Sequence, residues 1–183
     1  MSRAARRPVP RPAAEPAARD LEPRTWQGVT FRPCQAGAAE VRNLFEYAGA
    51  WIPEPAPDEL AWEAEAGGRL VGGLLVERRG AHGFVHGPVV VESPAGVEPL
   101  EVADQLLAPL LAAAAATPLD TLFTRPQGLD RLWVRRGFVP VPEAALPPGL
   151  RDRPGIGLFA WRRPGTYAIS TPDEEASRRR RGR

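Results

Sequence analysis

The apolar positions between residues 83 and 138 change from one period to another, and this change predicts the centre of the fold. Residues 84–91 are dense in valine and phenylalanine, which favour a buried strand. Leucine and alanine then recur every three or four residues from Leu100 to Ala116, which is the period of a helix with one buried face. Residues 121–125 form a second short apolar strand. Because a crossover helix joins the two strands, we expect them to be parallel neighbours.

Other periodic segments extend this unit into one sheet with helices packed against it. A helix is expected from Ala38 to about Tyr47, since Val41, Leu44 and Phe45 share one face, and a shorter one over 129–136. The sheet is expected to be antiparallel except between its fourth and fifth strands. The predicted strands are 29–35, 60–66, 70–78, 84–91, 121–125, 137–141 and 155–162.

Charge divides the 183-residue chain into an acidic middle and two basic ends. Residues 25–161 carry a net charge of −5, whereas residues 1–24 carry +3 and residues 162–183 carry +4, and all 24 basic residues are arginine. Both ends lack the bulky apolar residues that would offset chain entropy on folding. We therefore expect a disordered Pro/Arg-rich tail over 1–24, one domain over 25–165 and a disordered Arg-rich tail over 166–183.

The arginines of these tails, above all those of 178–183, could hold nucleic acid or another anionic partner through phosphate contacts. A solvated tail without a specific partner explains the same composition. A nucleic-acid-binding domain would carry its positive charge on the folded face, and the middle of this chain is acidic.

Composition also argues against several classes of protein. The chain has no uninterrupted apolar run near 18 residues, so we expect no transmembrane helix and no membrane partner. The first arginines are not followed by the apolar stretch of a secretory signal. The single cysteine, Cys34, cannot form an internal disulfide, which fits a cytoplasmic location. The two histidines, His82 and His86, lack the spacing of metal ligands, so no metal site is predicted.

Several segments carry a resemblance to a known superfamily. Leu132–Phe138 looks like a late helix that ends in a tyrosine-containing turn and Gly-Phe, and Gly68–Gly73 looks like a glycine, leucine-valine-glycine hairpin. Val29–Pro33 followed by Ala38–Phe45 is similar to an opening strand and helix. Together these segments resemble the GCN5-related N-acetyltransferase (GNAT) superfamily, as a divergent member. The resemblance implies an α/β (α+β) fold with a GNAT-like mixed, mostly antiparallel sheet, a parallel pair of fourth and fifth strands, and flanking helices.

The resemblance also implies an activity. It suggests an N-acyltransferase that moves an acetyl group from acetyl-CoA to a small-molecule or peptide amine. In such an enzyme Val89 and Val91 would pair with the pantetheine arm of acetyl-CoA. Gly96 and Ala103 would lie by its pyrophosphate, at the N-terminus of the long helix.

Two places depart from the pattern of the superfamily. Glu98 and Glu101 stand where Arg/Gln and Gly are usual, and Pro99 removes one N–H donor. A carboxylate about 4 Å from a phosphate costs on the order of 1–4 kcal/mol at a surface, so we expect a degenerate acyl-CoA loop that binds CoA weakly. Trp133 stands in the tyrosine position, and an indole cannot act as a general acid near neutral pH.

Three residues are candidates for catalysis on the acceptor side. His86 lies in the predicted fourth strand and titrates in a useful range, although a hydrogen-bonded core histidine is the alternative. Glu63 and Glu65 share one face of their strand and could take a proton from an ammonium group, although a solvated strand face is the alternative. Trp51 and acids beside it could bind a cationic amine, or the tryptophan could only pin its loop to the core.

A second function remains open at this point. A non-catalytic GNAT-fold binding or assembly module, whose arginine-rich tails engage a partner or nucleic acid, explains the altered acyl-CoA loop as well as an enzyme does. A nucleic-acid-associated protein, in which the domain only carries the tails, is a third possibility.

Overall fold

One eight-stranded sheet organises the part of the chain that the computed structural model describes, residues 22–34 and 38–165. Across the sheet the strands lie in the order of the chain, except that the last two exchange places. Apart from residues 22–24, the two predicted tails lie outside the described residues. The strands are β1 (Arg24–Trp26), β2 (Val29–Pro33), β3 (Leu60–Ala66), β4 (Arg69–Arg79), β5 (His82–Val90), β6 (Thr121–Thr124), β7 (Val139–Pro140) and β8 (Phe159–Arg162).

Helices and turns connect these strands and cover the sheet. Helix α1 follows β2, helix α2 joins β5 to β6, and helix α3 lies between β6 and β7. Residues 141–158, which we call the β7–β8 connection, contain two short 3₁₀ turns. The bounds are α1 (Ala39–Tyr47), α2 (Pro99–Ala116), α3 (Asp130–Arg135), and the turns Glu143–Ala145 and Pro148–Leu150.

The pairing of the strands confirms the predicted fold class. β5 and β6 are parallel, and every other pair of neighbours in the described sheet is antiparallel. The parallel ladder begins with His82 opposite Thr121 and ends with Val85 opposite Thr124. The crossover through α2 therefore has the predicted result. All the predicted strands form, and β1 is an additional strand at one edge of the sheet.

The two faces of the sheet are covered differently. α2 and α3 cover one face, where Leu74, Val76 and Val85 belong to the main core. On the opposite face Leu75 packs with α1, whereas Phe84 packs with the β7–β8 connection. This second face therefore carries two apolar clusters side by side, and we call the boundary between them the seam.

Glycines permit a tight turn between β3 and β4 and a close contact between α1 and β4. The predicted turn at Gly67-Gly68 is confirmed, since both residues have positive φ angles of 57° and 76°, which glycine adopts at little cost. Gly73 lets α1 approach β4, because a Cβ atom at this position would stand 2.8 Å from Cγ1 of Val41. That distance is too short for two carbon atoms, so α1 depends on the missing side chain.

Helix α2 is the core helix of the domain. Leu100, which the helical period places on the buried face, is 47% exposed, and Val102 is buried instead. The helix continues through Pro109. By length and composition alone α2 would qualify as a membrane span, contrary to the expectation from the sequence. Its buried residues pack with the sheet in the main core, as expected of a core helix.

Candidate functional site

The two parallel strands separate just before His86. Their ladder ends with Val85 opposite Thr124, and β5 continues to Val90 whereas β6 has ended. The Thr124 hydroxyl donates a hydrogen bond to the carbonyl oxygen of Val85 at 3.1 Å. Beyond this point, one edge of β5 has no strand partner among the described residues. An extended group could pair with that open edge.

Val90 is the residue that presents its backbone to the open edge. The N–H of Val91 donates to the oxygen of Val71 in β4 at 2.9 Å, and Val89 pairs with Gly73 of the same strand. Backbone groups of successive residues point to opposite edges of a strand, so those of Val90 point away from β4. The predicted contacts to an acyl arm, Val89 and Val91, thus flank the residue whose backbone is available.

His86 lies on the seam. Its side chain is buried, and its ring sits between Phe84, with 4.9 Å between centroids, and Trp51, with 5.0 Å. Nε2 of His86 lies 3.6 Å from Oε2 of Glu77 and has no hydrogen-bond partner among the described residues. His86 is therefore a core histidine in its burial, but its Nε2 is not engaged at hydrogen-bond distance.

Glu77 is a buried acid on β4 that two arginines bind. Nε of Arg153 donates to its Oε2 at 2.6 Å, and a second N–H of Arg153 donates to its Oε1. Nη2 of Arg79 lies 2.8 Å from Oε1. Burial by itself would raise the pKa of Glu77, but the nearby imidazole of His86, the hydrogen bonds from Arg153 and the charges of the two arginines outweigh it and lower the pKa to about 2. Glu77 is therefore ionised at neutral pH.

The same surroundings set the protonation of His86. Burial lowers the pKa of His86 below its ordinary value of 6.5, and the neighbouring carboxylate of Glu77 opposes this only in part. The charge of Arg153 lowers the pKa further, while Glu59 raises it. His86 is thus a neutral imidazole at pH 7 and can accept a proton.

The loop between α1 and β3 covers the seam with Trp51. Arg42 of α1 fastens this loop by donating to both carboxylate oxygens of Glu59, at 3.2 Å and 2.5 Å. The guanidinium carbon of Arg153 lies 5.7 Å from the centre of the Trp51 ring. The predicted site for a cationic amine is therefore occupied from within, because Arg153 covers the ring and Arg42 binds the carboxylate of Glu59.

Glu63 and Glu65 belong to a different cluster. Nε of Arg32 donates to Glu63 at 2.5 Å and its Nη2 donates to Glu65 at 2.8 Å, so the two acids share a face and one arginine. Sγ of Cys34 lies 3.4 Å from Glu63. Burial, and then Glu63, raise the pKa of Cys34, so this thiol stays protonated at neutral pH. No described contact joins this cluster to His86, so the three predicted catalytic residues do not form one site.

A cavity of about 490 Å³ adjoins the cluster of Arg32, Glu63 and Glu65, between β2, β3 and the start of α1. It is lined by Arg32, Cys34 and Glu63 among others, and His86 is not part of its lining. Its lining includes Cys34 and Ala38, which flank residues 35–37 in the sequence. The structure does not describe those three residues, so we assign no site to the cavity. Within 22–34 and 38–165, no three His, Cys, Asp or Glu residues are placed to hold a metal ion.

Gly96 and Ala103, the predicted contacts of a pyrophosphate, lie at different depths. Gly96 is exposed in the turn before α2, with φ +81°, and no described atom outside its neighbours stands within 4 Å of a Cβ built there. Ala103 is buried in the main core. Only Gly96 is thus open to a ligand, and Ala103 contributes close packing of the helix.

The N-terminus of α2 is capped by its own acid. The N–H of Glu98 donates to Oε2 of Glu101 at 3.3 Å, and Pro99 in the first helical position has no N–H to offer. The carboxylate of Glu101 thus takes the place where a helix N-terminus binds an anion. The chain fits an extended acyl arm along β5, but α2 does not fit a pyrophosphate.

Trp133, in the tyrosine position of the superfamily, is a core residue. Its side chain is completely buried, and its indole N–H donates to the oxygen of Pro126 at 3.3 Å. Its ring meets that of Phe138 edge to face, with 4.9 Å between centroids. It is placed to support the fold rather than to give a proton to a leaving group.

Sequence reasoning missed Glu77 and Arg153, although both lie beside His86. One signal for Glu77 was available, because it is the single acid of β4 and directly follows the apolar stretch Leu70–Val76. Arg153 carries no comparable signal, since it stands in an irregular segment 76 residues further along the chain.

Solved structures of acetyltransferases are similar to this fold. The N-acetylglutamate synthase of Neisseria gonorrhoeae, solved with coenzyme A and L-arginine, aligns over 74% of this chain with a TM-score of 0.57 and 18% identity. This chain spans about a third of the length of that protein, 33%. The catalytic domain of the Tetrahymena GCN5 histone acetyltransferase, in complex with coenzyme A, aligns over 80% of this chain and 100% of its own, with a TM-score of 0.56 and 10% identity.

A GNAT-family acetyltransferase from Staphylococcus aureus Mu50 aligns over 73% of this chain and 98% of its own, with a TM-score of 0.55 and 11% identity. The sequence itself matches no protein-family model and no curated protein. At these identities the likeness shows the fold. The chain has the GNAT fold, in a strongly divergent sequence.

Proposed function

We propose that this chain, whose fold is that of the GNAT acetyltransferases, transfers an acetyl group from acetyl-CoA to an amine, with His86 as the general base. The observation that carries the proposal is the position of His86. It is the first residue of β5 beyond the last pair with β6, where the open edge of β5 begins. A buried, neutral imidazole therefore lies where an acyl arm paired with β5 would end.

The donor is expected to bind through its acyl arm more than through its phosphates. Bound acetyl-CoA supplies the acetyl group as a reactive thioester. The backbone of Val90 is available to the arm, and Gly96 leaves the turn before α2 open. The carboxylate of Glu101 opposes a pyrophosphate at α2 by on the order of 1–4 kcal/mol, which is roughly a ten- to thousandfold loss of affinity.

On the acceptor side, His86 takes a proton from the amine as its nitrogen forms a bond to the acetyl carbon and the carbon–sulfur bond breaks. The N–H of Trp133 is engaged in the core, so the tyrosine position offers no acid for the sulfur. His86 can then donate the proton that it accepted from the amine to the leaving sulfur. One residue then serves as base and acid in turn.

Two measurements on the full chain test this proposal. Calorimetry with acetyl-CoA should give binding that is measurable but weak. Release of free thiol should then identify acceptors from a panel of polyamines, amino acids and lysine peptides. Failure to bind acetyl-CoA at millimolar concentration would overturn the proposal and leave a non-catalytic binding or assembly module.

The role of His86 is tested by His86→Gln, with His82→Gln as the matched control. His82 is the other histidine of the chain and begins β5, at the opposite end of the parallel ladder. We expect His86→Gln to lower kcat by roughly 10²- to 10⁴-fold, the usual contribution of a general base, with the Kd of acetyl-CoA unchanged. Full turnover in His86→Gln would show that another group is the base.

A further inference from the structure

We propose that Glu77 is a positioning residue for His86, and that Arg153 holds Glu77 in that role. This inference rests on the proposed function of His86. It extends the site to two further elements, because Glu77 lies on β4 and Arg153 on the β7–β8 connection. The acceptor side of the site would then be assembled from residues far apart in the chain.

The geometry places the carboxylate of Glu77 against the imidazole. On the paired strands Glu77 lies opposite Phe84, and Leu75 lies opposite His86, so Glu77 and His86 are diagonal neighbours on one face. Glu77 is 3% exposed and His86 5%, and Oε2 of Glu77 is 3.6 Å from Nε2 of His86. A small rotation of the ring would bring these atoms to hydrogen-bond distance, which is common when a substrate tightens a loose site.

Arg153 fixes the carboxylate from the other side. It donates two N–H groups to Glu77, one of them to the same Oε2 that faces His86. Its guanidinium also lies over the ring of Trp51, which contacts the opposite side of His86. Arg153 thus contacts two neighbours of the imidazole, Glu77 and Trp51.

The group of Glu77, Arg153 and His86 differs in one respect from the ion pair of Arg42 and Glu59. The pair of Arg42 and Glu59 satisfies its own hydrogen-bonding groups. The Glu77 cluster leaves Nε2 of His86 buried without a described partner. Nε2 of His86 is one of seven such atoms among the described residues, and a catalytic role is one explanation for a buried polar atom without a partner. A proton on Nε2, directed at Glu77, would leave Nδ1 free to accept one from the amine.

The charged groups around His86 act on it with opposite signs. Glu77 of β4 and Glu59 of the loop before β3 favour the imidazolium, and Arg153 disfavours it. Arg79 acts on the same carboxylate of Glu77 from further out. Removing Glu77 and removing Arg153 should therefore move the titration of His86 in opposite directions.

The first test is the titration of His86 by NMR in the full chain, which needs no activity. The chain has two histidines, so His86→Asn assigns the signal. We expect Glu77→Gln to lower the pKa of His86 and Arg153→Gln to raise it. A variant that merely loosened the packing would admit water and raise the pKa in both cases. A raised or unchanged pKa in Glu77→Gln would overturn the proposal.

Controls separate charge from folding. Asp104→Asn removes another arginine-bound carboxylate, held by Arg136 on the α2 side of the sheet, and should leave the His86 titration unchanged. Glu77→Asp keeps the charge and should restore the titration in part. If Glu77→Gln does not fold, the double variant Glu77→Gln/Arg153→Gln leaves neither partner of the buried pair charged and is compared with Arg153→Gln. The pKa of His86 should be lower in the double variant than in Arg153→Gln, and an equal or higher pKa would overturn the proposal.

The second test is kinetic and follows once an acceptor is known. Both Glu77→Gln and the double variant should lower kcat on the order of tenfold, less than the loss of the base itself, with the Kd of acetyl-CoA unchanged. Turnover equal to wild type in the double variant would overturn the positioning role while His86 remained the base. If neither histidine variant changes turnover, the proposed function fails. The NMR titration still tests, independently of activity, whether Glu77 raises the pKa of His86.

Discussion

At the scale of single residues, the buried pair of Glu77 and His86 makes folding sensitive to pH. The folded-state pKa of Glu77 is about 2, below its ordinary 4.5, and that of His86 is also below its ordinary value. The unfolded chain therefore binds protons at these residues more readily than the folded chain does. Both stabilise the fold at neutral pH, and both contributions are lost as the pH falls.

We therefore expect the melting temperature to fall in two stages on acidification. The first begins near pH 6.5, where unfolded His86 takes up its proton, and the second runs from pH 4.5 toward 2 as Glu77 does. Circular dichroism between pH 8 and pH 2.5 measures both. His86→Asn should remove the first stage, and Glu77→Gln should weaken the second, to which Glu143 also contributes because its hydrogen bond with Arg125 lowers its pKa.

The control for this experiment is Glu46→Gln, which removes an exposed acid of α1. It should keep both stages. A wild-type melting temperature that does not change between pH 7 and pH 4.5 would contradict the burial of His86 as a neutral ring.

Single residues also show where sequence reasoning reaches its limit. His86 was identifiable because it is one of two histidines and stands in an apolar strand. Its partner Glu77 was not, since their contact depends on the register of β4 and β5, which shifts between Gly73 and Leu75. A shift of one residue moves a side chain to the other face, so the period alone cannot place such a pair.

At the scale of elements, the N-terminus of α2 decides how tightly an acyl donor binds. Glu101→Gln should strengthen CoA binding, by up to the roughly ten- to thousandfold that one carboxylate near a phosphate costs. The side-chain amide oxygen that this substitution introduces would still accept the N–H of Glu98, so the helix keeps its cap. Calorimetry with CoA measures the change.

The matched control for this variant is Glu92→Gln. Glu92 lies in the loop before α2 and pairs with Arg69 at the start of β4. Glu92→Gln removes the same charge as Glu101→Gln, and it should change the affinity for CoA much less. Equal gains from the two variants would mean that net charge, not the position of Glu101, limits donor binding.

A second element-scale prediction concerns the contact of α1 with β4. Gly73→Ala places a Cβ 2.8 Å from Val41, so α1 must shift, and we expect a loss of about 1–3 kcal/mol in the free energy of unfolding. Gly149→Ala is the control, since no described atom lies within 4 Å of its Cβ position. Urea denaturation compares the two. Equal stability of both variants would contradict the close packing of α1.

Most elements were predictable because their apolar periods are clear. Leu60–Ala66 and Arg69–Arg79 alternate around a glycine pair, and α2 repeats leucine and alanine along its whole length. β1 was not, because Arg24–Trp26 offers a single bulky apolar side chain next to a proline- and arginine-rich segment. The β7–β8 connection has no period at all, yet it supplies Arg153 to the seam.

At the scale of the whole molecule, the arginine-rich ends remain a hypothesis from composition. Residues 1–21 and 166–183 lie outside the described structure, and no observation here assigns them a nucleic-acid or protein partner. The cytoplasmic location also stays a prediction from the single cysteine. The described residues of the candidate site all lie between Arg42 and Arg153.

The two edge strands of the described sheet affect how copies of this protein can associate. The outermost strands are its shortest: β1 has three residues, and β7 has two, one of them Pro140. The unpaired backbone groups of an exposed edge strand can pair with strands of other molecules. A short edge strand and a proline within it both disfavour such pairing. Continuous cross-molecule sheets, the route to amyloid-like aggregation, are therefore disfavoured. If the protein forms dimers, we expect them to use helices or connecting segments instead of extending the sheet.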